Sequence, residues 1–231
     1  MKVIVKQMKY NLYSDNMKDM KKITSLESTC YIRNDLVYKI FKPNIDISKR
    51  IEIIKLFLNN KVEGCPEIYD LIYEDNMVIG YIMKYYSRLK EIKNISNFNF
   101  VKQKLLELIN LHLFLMEKYN IFYFDYNDHN VFLNKKNILL LDIDSCFTEN
   151  DKSEFATNIL IDFILSVIYK INYFDIRIYF LPEERQIIED IIYTNYNGER
   201  IKNIYDIKNF INNVSSKDIK MQLKRMPYKL K

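Results

Sequence analysis

Residues 122–144 read FYFDYNDHNVFLNKKNILLLDID. A carboxylate at Asp125 is followed five positions later by an amide at Asn130, then by an apolar run, and then by a second carboxylate at Asp142. Two β-prone runs, Val131-Phe132-Leu133 and Ile138-Leu139-Leu140-Leu141, flank the turn-forming stretch Asn134-Lys135-Lys136-Asn137. The pattern predicts a short hairpin that returns Asp142 beside Asn130, so that three oxygen-bearing side chains converge. Mg²⁺ is a hard cation that takes carboxylates, amide oxygens and water as ligands, and Asn130 with Asp142 offers that chemistry. Asp125, set apart from the pair by a loop, is a candidate to orient an acceptor hydroxyl and take its proton. Taken alone, D-x-x-x-x-N is a weak pattern, because Asp and Asn are common turn residues. Its surroundings have to carry it.

Upstream, Leu36-Val37-Tyr38-Lys39-Ile40-Phe41-Lys42 alternates around Lys39 and is stopped by Pro43, which predicts a strand with Val37, Lys39 and Phe41 on one face. A lysine in such a strand is more often a solvated edge residue, and Lys42 is a rival for any role given to Lys39. Thr29–Arg33 reads as the preceding strand, with Asn34-Asp35 as the hairpin turn. Asp46–Asn60, DISKRIEIIKLFLNN, places Ile47, Ile51, Ile54 and Leu58 at helical spacing, with Asp46 near the N-cap and Glu52 as the helix's glutamate. Glu67–Glu74 and Met77–Tyr86 read as two further strands around Asp75-Asn76. These runs predict a small antiparallel sheet carrying one helix.

Phe98–Asn120 is apolar enough for a buried helix, with His112 on its buried stripe as a hydrogen-bonded core histidine. Residues 159–169 predict a second core helix containing Asp162; it is too short to span a bilayer. Pro182-Glu183-Glu184 opens a further helix, and Ser215 with Asp218 caps a terminal one.

In this order the chain resembles the protein-kinase-like superfamily over roughly residues 25–170. Asp125 and Asn130 match the H-R-D-x-x-x-x-N catalytic loop, Asp142 the D-F-G aspartate, and the Lys39 strand the V-A-I-K strand. The resemblance implies an α+β, two-lobed fold, with an N-lobe over 1–86 and a mainly helical C-lobe over 87–231. It implies ATP and Mg²⁺ as cofactors, with Asp125 as base and Asn130 and Asp142 on the metal. Lys39 would hold the α- and β-phosphates, positioned by an ion pair to Glu52, although a surface Glu52 paired with Lys49 or Lys55 is nearly as good a reading. Val37 would lie against the adenine. Met83 to Ser87 would be the hinge whose backbone meets the adenine, chiefly at Met83 and Tyr85, and Asp162 would brace the catalytic loop.

The chain also departs from the family pattern. Glycine occurs only at 64, 80 and 198, so Ser25-Leu26-Glu27-Ser28-Thr29 stands where a glycine-rich loop would cover the phosphates. Hydroxyls such as that of Ser28 can donate to phosphates, whereas Glu27 would repel them. Tyr123 and Phe124 replace the histidine and arginine before the base, Asn127 replaces the lysine two residues after it, and no A-P-E segment follows. The short stretch after Asp142 resembles small-molecule kinases of the aminoglycoside phosphotransferase and lipopolysaccharide kinase type, and atypical bacterial kinases, leaving a protein and a small-molecule hydroxyl as rival acceptors.

Composition bounds the alternatives. With 231 residues, 48% of them hydrophobic, the chain can bury a full core. Three scattered cysteines without C-x-x-C favour reduced thiols and a cytoplasmic setting over a disulfide framework. No spanning helix or secretory h-region is evident, and a net charge of +5 does not by itself argue for nucleic acid. Lysines and an arginine from 217 to 231 form a basic tail, for which a solvated surface is the plainer account. Three functions compete: an ATP-dependent phosphotransferase, a pseudokinase that binds nucleotide or a partner without turnover, and a basic nucleic-acid or membrane-surface protein.

Overall fold

The computed structural model of the chain describes residues 20–148, 152–171, 181–195 and 197–226. The chain divides into two units, one comprising the residues up to Leu89 together with Asn134–Cys146, the other Lys90–Leu133 together with the residues from Phe147 onward. The α+β class expected from the sequence holds, with the large antiparallel sheet in the first unit and most of the helices in the second.

The first unit is built on an antiparallel sheet of β1 (Lys21–Thr24), β2 (Ser28–Arg33), β3 (Leu36–Phe41), β4 (Ile68–Glu74) and β5 (Met77–Lys84), in the order β1-β2-β3-β5-β4. Two of its hairpins turn on residues that tolerate the left-handed region: Asn34 and Asp35 have φ of 49° and 61°, and Asp75 and Asn76 have 48° and 67°. Paired positive φ values match the right-handed twist of the flanking strands. The register sets Val37 against Ile32 and Met83, and Lys39 against Cys30 and Tyr81. One face of the sheet therefore carries Val37, Lys39 and Phe41, all buried, while Tyr38 on the other packs with Met20, Ile72 and Ile82. Helix α1 (Ser48–Asn59) begins where Asp46 Oδ1 accepts from the Ser48 backbone N–H and hydroxyl, at 3.0 and 2.8 Å, and it buries Ile53, Ile54 and Phe57. The chain re-enters this unit as β8 (Asn137–Leu140), followed by a 3₁₀ turn at Ile143–Ser145 that packs against α1.

In the second unit, β6 (Lys90–Glu91) pairs antiparallel with β7 (Val131–Asn134), and α2 (Phe98–Tyr119) runs for 22 residues. Asn97 caps α2, accepting from the Phe100 N–H, and Asn120 ends it at φ 53°. Helix α3 (Ser153–Tyr169) starts six residues before the apolar run that signals it, because its first turns are polar and its burial begins at Ala156. Helix α4 (Pro182–Ile192) has proline in its first turn, and Glu184 accepts from the Leu181 N–H. Helix α5 (Ile204–Asn213) is capped by Asn203, and α6 (Ser216–Lys224) by a reciprocal Ser215–Asp218 box. Lys102 of α2 donates to the carbonyls of Asn212 and Val214, satisfying groups at the end of α5. Among the described residues no helix is long and apolar enough to cross a membrane. Of the basic tail, residues 227–231 lie outside the described part.

Candidate active site

In the first unit, strand alternation delivers Lys39 into the interior, where it is only 5% exposed. Its Nζ donates to Asp142 Oδ1 at 2.9 Å and to Asp144 Oδ1 at 2.8 Å. Tyr81, across the ladder from Lys39, donates its hydroxyl to the same Asp144 oxygen at 2.6 Å. Close approach of β5 to β3 depends on Gly80, where an added Cβ would stand 2.1 Å from the Lys39 carbonyl oxygen. Asp142 adopts the left-handed conformation at φ 52°, which aspartate tolerates, and the chain then winds into the 3₁₀ turn that buries Asp144 completely. Arg50 on α1 forms a two-pronged pair with Glu27, at 2.8 and 3.0 Å, and lies 3.6 Å from Asp144 Oδ2.

These charges set one another's protonation. Burial opposes the charged form of Lys39, but the charges and hydrogen bonds of Asp144 and Asp142 outweigh it and hold the ammonium above the usual lysine range. Burial likewise opposes ionisation of Asp144, and Lys39, Tyr81 and Arg50 reverse that, keeping the carboxyl below its ordinary value. The hydrogen bonds from Arg50 lower the pKa of Glu27. Glu27 thus stands beside a guanidinium, not as an isolated negative charge.

In the second unit, the loop around Asp125 is held by neutral donors. Asn127 Nδ2 donates to Asp125 Oδ1 at 2.7 Å and Asn130 Nδ2 to Asp125 Oδ2 at 2.6 Å. The Asp125 carbonyl accepts from Asn127, Asn130 and the Tyr123 hydroxyl, at 3.1, 3.2 and 3.1 Å. Tyr123 meets Tyr126 edge to face, with ring centres 4.7 Å apart, and Tyr126 in turn hydrogen-bonds His112 Nδ1 at 2.8 Å. His112 is buried and its second nitrogen faces the Thr157 hydroxyl; burial depresses its pKa from 6.5 to about 4. A backbone bridge between Phe122 and Phe147 fixes the start of the loop, and Phe124 stacks on Phe147 at 4.3 Å. Lys93 pairs with Asp128 farther along.

Solved structures share this architecture. The Cydia pomonella granulovirus kinase PK-1 matches with a TM-score of 0.55 at 15% identity, over 83% of this chain and 93% of its own. The crystal structure of the yeast RNA Pol II CTD kinase CTDK-1 complex matches with a TM-score of 0.52 at 13% identity, over 90% of this chain and 86% of that one. The chain has the two-lobed protein-kinase-like fold. No protein-family model matches the sequence, and no curated protein matches it by sequence.

Within this kinase-like fold, the positions singled out from sequence divide into those that cluster and those that do not. Lys39 and Asp142 are in contact, and Asp125 contacts Asn130. Val37 is buried one alternation from Lys39, and Ser28 is buried at the start of β2, its N–H bonded to Ser25 Oγ at 3.1 Å. Lys42 lies beyond β3 and is half-buried, so Lys39 is the lysine enclosed by acids. Glu52 does not make the expected ion pair. It is exposed, one turn position away from the face of α1 that buries Ile53 and Ile54, and the helix directs Arg50 toward the cluster instead. In the stretch expected as the hinge, the Tyr85 backbone N–H is bonded to the Asp35 carbonyl at 2.8 Å. Met83 is buried and paired on both sides, opposite Val37 and Ile68. Asp162 accepts from the Tyr193 hydroxyl.

Sequence reading missed Asp144, Arg50, Tyr81 and Tyr123. Asp144 was visible as the third residue of Asp142-Ile143-Asp144, but an acid in a turn gives no sign of being buried. Tyr81 was legible as a residue two positions before Met83 on the same strand face, opposite Lys39, once β3 and β5 are paired.

Proposed function

We propose that the protein is an ATP-dependent phosphotransferase that moves the γ-phosphate to a hydroxyl of a protein or small-molecule acceptor. The observation that carries this reading is the buried Lys39 ammonium bonded to Asp142, because a buried ion pair adds little net stability and such desolvated, charge-paired groups cluster at functional sites. Lys39 supplies a fixed positive charge for phosphate oxygens, and Val37 an apolar surface for the adenine. Asp125, both of whose carboxylate oxygens are oriented by amides, accepts the acceptor's proton.

Asp142 and Asn130 each offer an oxygen of the kind that Mg²⁺ takes. Asp142 is 44% exposed at its side chain, and Asn130 uses its amide nitrogen on Asp125, leaving an amide oxygen as the donor for a cation. Mg²⁺ keeps several waters and takes substrate phosphate oxygens beside one or two protein ligands, so these would complete the ion's shell. When bound, the ion would neutralise phosphate charge.

The test is a melting-temperature titration with ATP, with and without Mg²⁺, on the wild type, Asp142→Ala and Asp125→Asn, followed by an ADP-release assay against hydroxyl acceptors. A Mg²⁺-dependent rise that is lost in Asp142→Ala and kept in Asp125→Asn, with turnover lost in both, is the expected result. A second reading, a pseudokinase, is favoured by the Tyr85 amide being committed to Asp35, which removes one adenine-facing donor. Nucleotide binding without turnover on any acceptor would select it. Absence of binding at millimolar ATP overturns both.

A further inference from the structure

We propose that Asp144 is the positioning residue for Lys39, taking the part that the sequence assigned to Glu52; this rests on the phosphotransferase reading above. Three observations converge on it. Asp144 is fully buried, and a buried carboxylate is strongly unfavourable unless matched by charge and hydrogen bonds. It is matched by Lys39 at 2.8 Å and by the Tyr81 hydroxyl at 2.6 Å, two donors that face each other across the β3–β5 ladder and reach the same oxygen. Helix α1, from which an acid was expected, instead presents a cation: Arg50 stands 3.6 Å from Asp144 Oδ2 while gripping Glu27.

The two acids on Lys39 differ in what they can do. Asp142 is 44% exposed at its side chain, so it can exchange its bond to Lys39 for another partner. Asp144 has no exposure and lies on a 3₁₀ turn packed against α1, so its bond to Lys39 persists when Asp142 turns away. Its other oxygen has no hydrogen-bond donor among the described residues, and Arg50 supplies charge there without a hydrogen bond. Asp144 therefore anchors Lys39 from below, and Tyr81 holds Asp144 in place. The ammonium is thereby held in place on the buried face of the sheet.

The experiment is a double-mutant cycle in nucleotide binding by calorimetry. Wild type, Asp144→Asn, Lys39→Met and the double variant are titrated with ATP plus Mg²⁺ and, separately, with adenosine. Losing a charge-assisted hydrogen bond should weaken ATP binding by about tenfold in Asp144→Asn. Adenosine, which has no phosphate, should bind within about twofold of wild type, and Asp144→Asn should add less than about twofold to Lys39→Met. A role confined to folding would weaken adenosine and ATP alike. Should Asp144→Asn not fold, Tyr81→Phe removes only one donor from Asp144 and should weaken ATP binding by about threefold with adenosine unchanged. Equal ATP affinity in wild type and variant, or additive losses in the cycle, overturns the role of Asp144 alone. Absence of ATP binding by the wild type overturns the phosphotransferase reading and this role with it.

Discussion

Lys39 and Asp125 are each held by two short side-chain hydrogen bonds, but the two regions hold them by different means. Around Lys39 the partners are ionised and buried, with Asp144 wholly removed from water. Around Asp125 they are the neutral amides of Asn127 and Asn130, on a loop propped by Tyr123, Tyr126 and a histidine kept uncharged by burial. A buried charged cluster fails sharply when one member is lost, because the remaining charges are left without compensation. A network of neutral donors fails gradually, one hydrogen bond at a time. The same fold thus places a brittle device in one unit and a graded one in the other.

The largest expected effect breaks the brittle side. Lys39→Met leaves Asp144 buried without its ammonium and should destabilise the protein by about 3–5 kcal/mol in urea unfolding. Asp125→Asn, in the neutral network, should cost no more than about 1.5 kcal/mol. Similar losses in the two variants would erase the contrast.

Acid separates the regions along the pH axis. His112 has its folded pKa depressed from 6.5 to about 4, so its neutral form contributes stability that is fully present above pH 6.5. That contribution is lost as pH falls from 6.5 toward 4, because the unfolded chain takes up the proton first; it amounts to about 3 kcal/mol. Asp144 also has a lowered pKa, and its contribution survives until pH falls below the ordinary carboxylate value of 3.8. Denaturation midpoints should therefore drop between pH 6.5 and 4 in the wild type and stay flatter in His112→Gln. A flat wild-type profile over that window would contradict the neutral buried histidine.

Next in size is Gly80→Ala. The new methyl would meet the Lys39 carbonyl at 2.1 Å, so β3 or β5 must shift, at a cost of about 1–3 kcal/mol. Because the displaced residue is Lys39 itself, nucleotide affinity should fall with stability. Unchanged affinity in a destabilised variant would show that the ladder moves on the β5 side alone.

Much of this was written in local sequence. Turn dipeptides with paired Asn and Asp fixed both hairpins, alternation put Lys39 on the buried face, and Ser215 with Asp218 announced α6. Helix α5 went unread in the sequence, although its cap Asn203 and its buried stripe of Ile204, Ile207, Phe210 and Ile211 follow helical spacing. What sequence could not reveal was which charged residue points inward. Glu52 and Arg50 are two positions apart on one helix, and the choice between them is made by the 3₁₀ turn packed against α1, a contact between segments some ninety residues apart. Likewise, nothing local shows that Glu27 is paired with Arg50, since their separation of 23 residues is closed only by the folded sheet and helix.

That pair supplies the smallest expected effect. Glu27 is 49% exposed and Arg50 21%, so water and salt screen their attraction, and two-pronged geometry adds only modest stability. Glu27→Gln should change unfolding free energy by less than about 1 kcal/mol. Its effect on a ligand has the opposite sign. With the carboxylate gone, Arg50 is released and a negative charge near the β1–β2 turn disappears, so an anionic ligand reaching that turn gains on both counts. ATP affinity should rise by about two- to fivefold at low salt, and the gain should shrink as ionic strength increases. Weaker ATP binding in Glu27→Gln would mean instead that the pair holds the turn in the shape that phosphates need, and that this part of the first unit behaves like the brittle lysine cluster next to it.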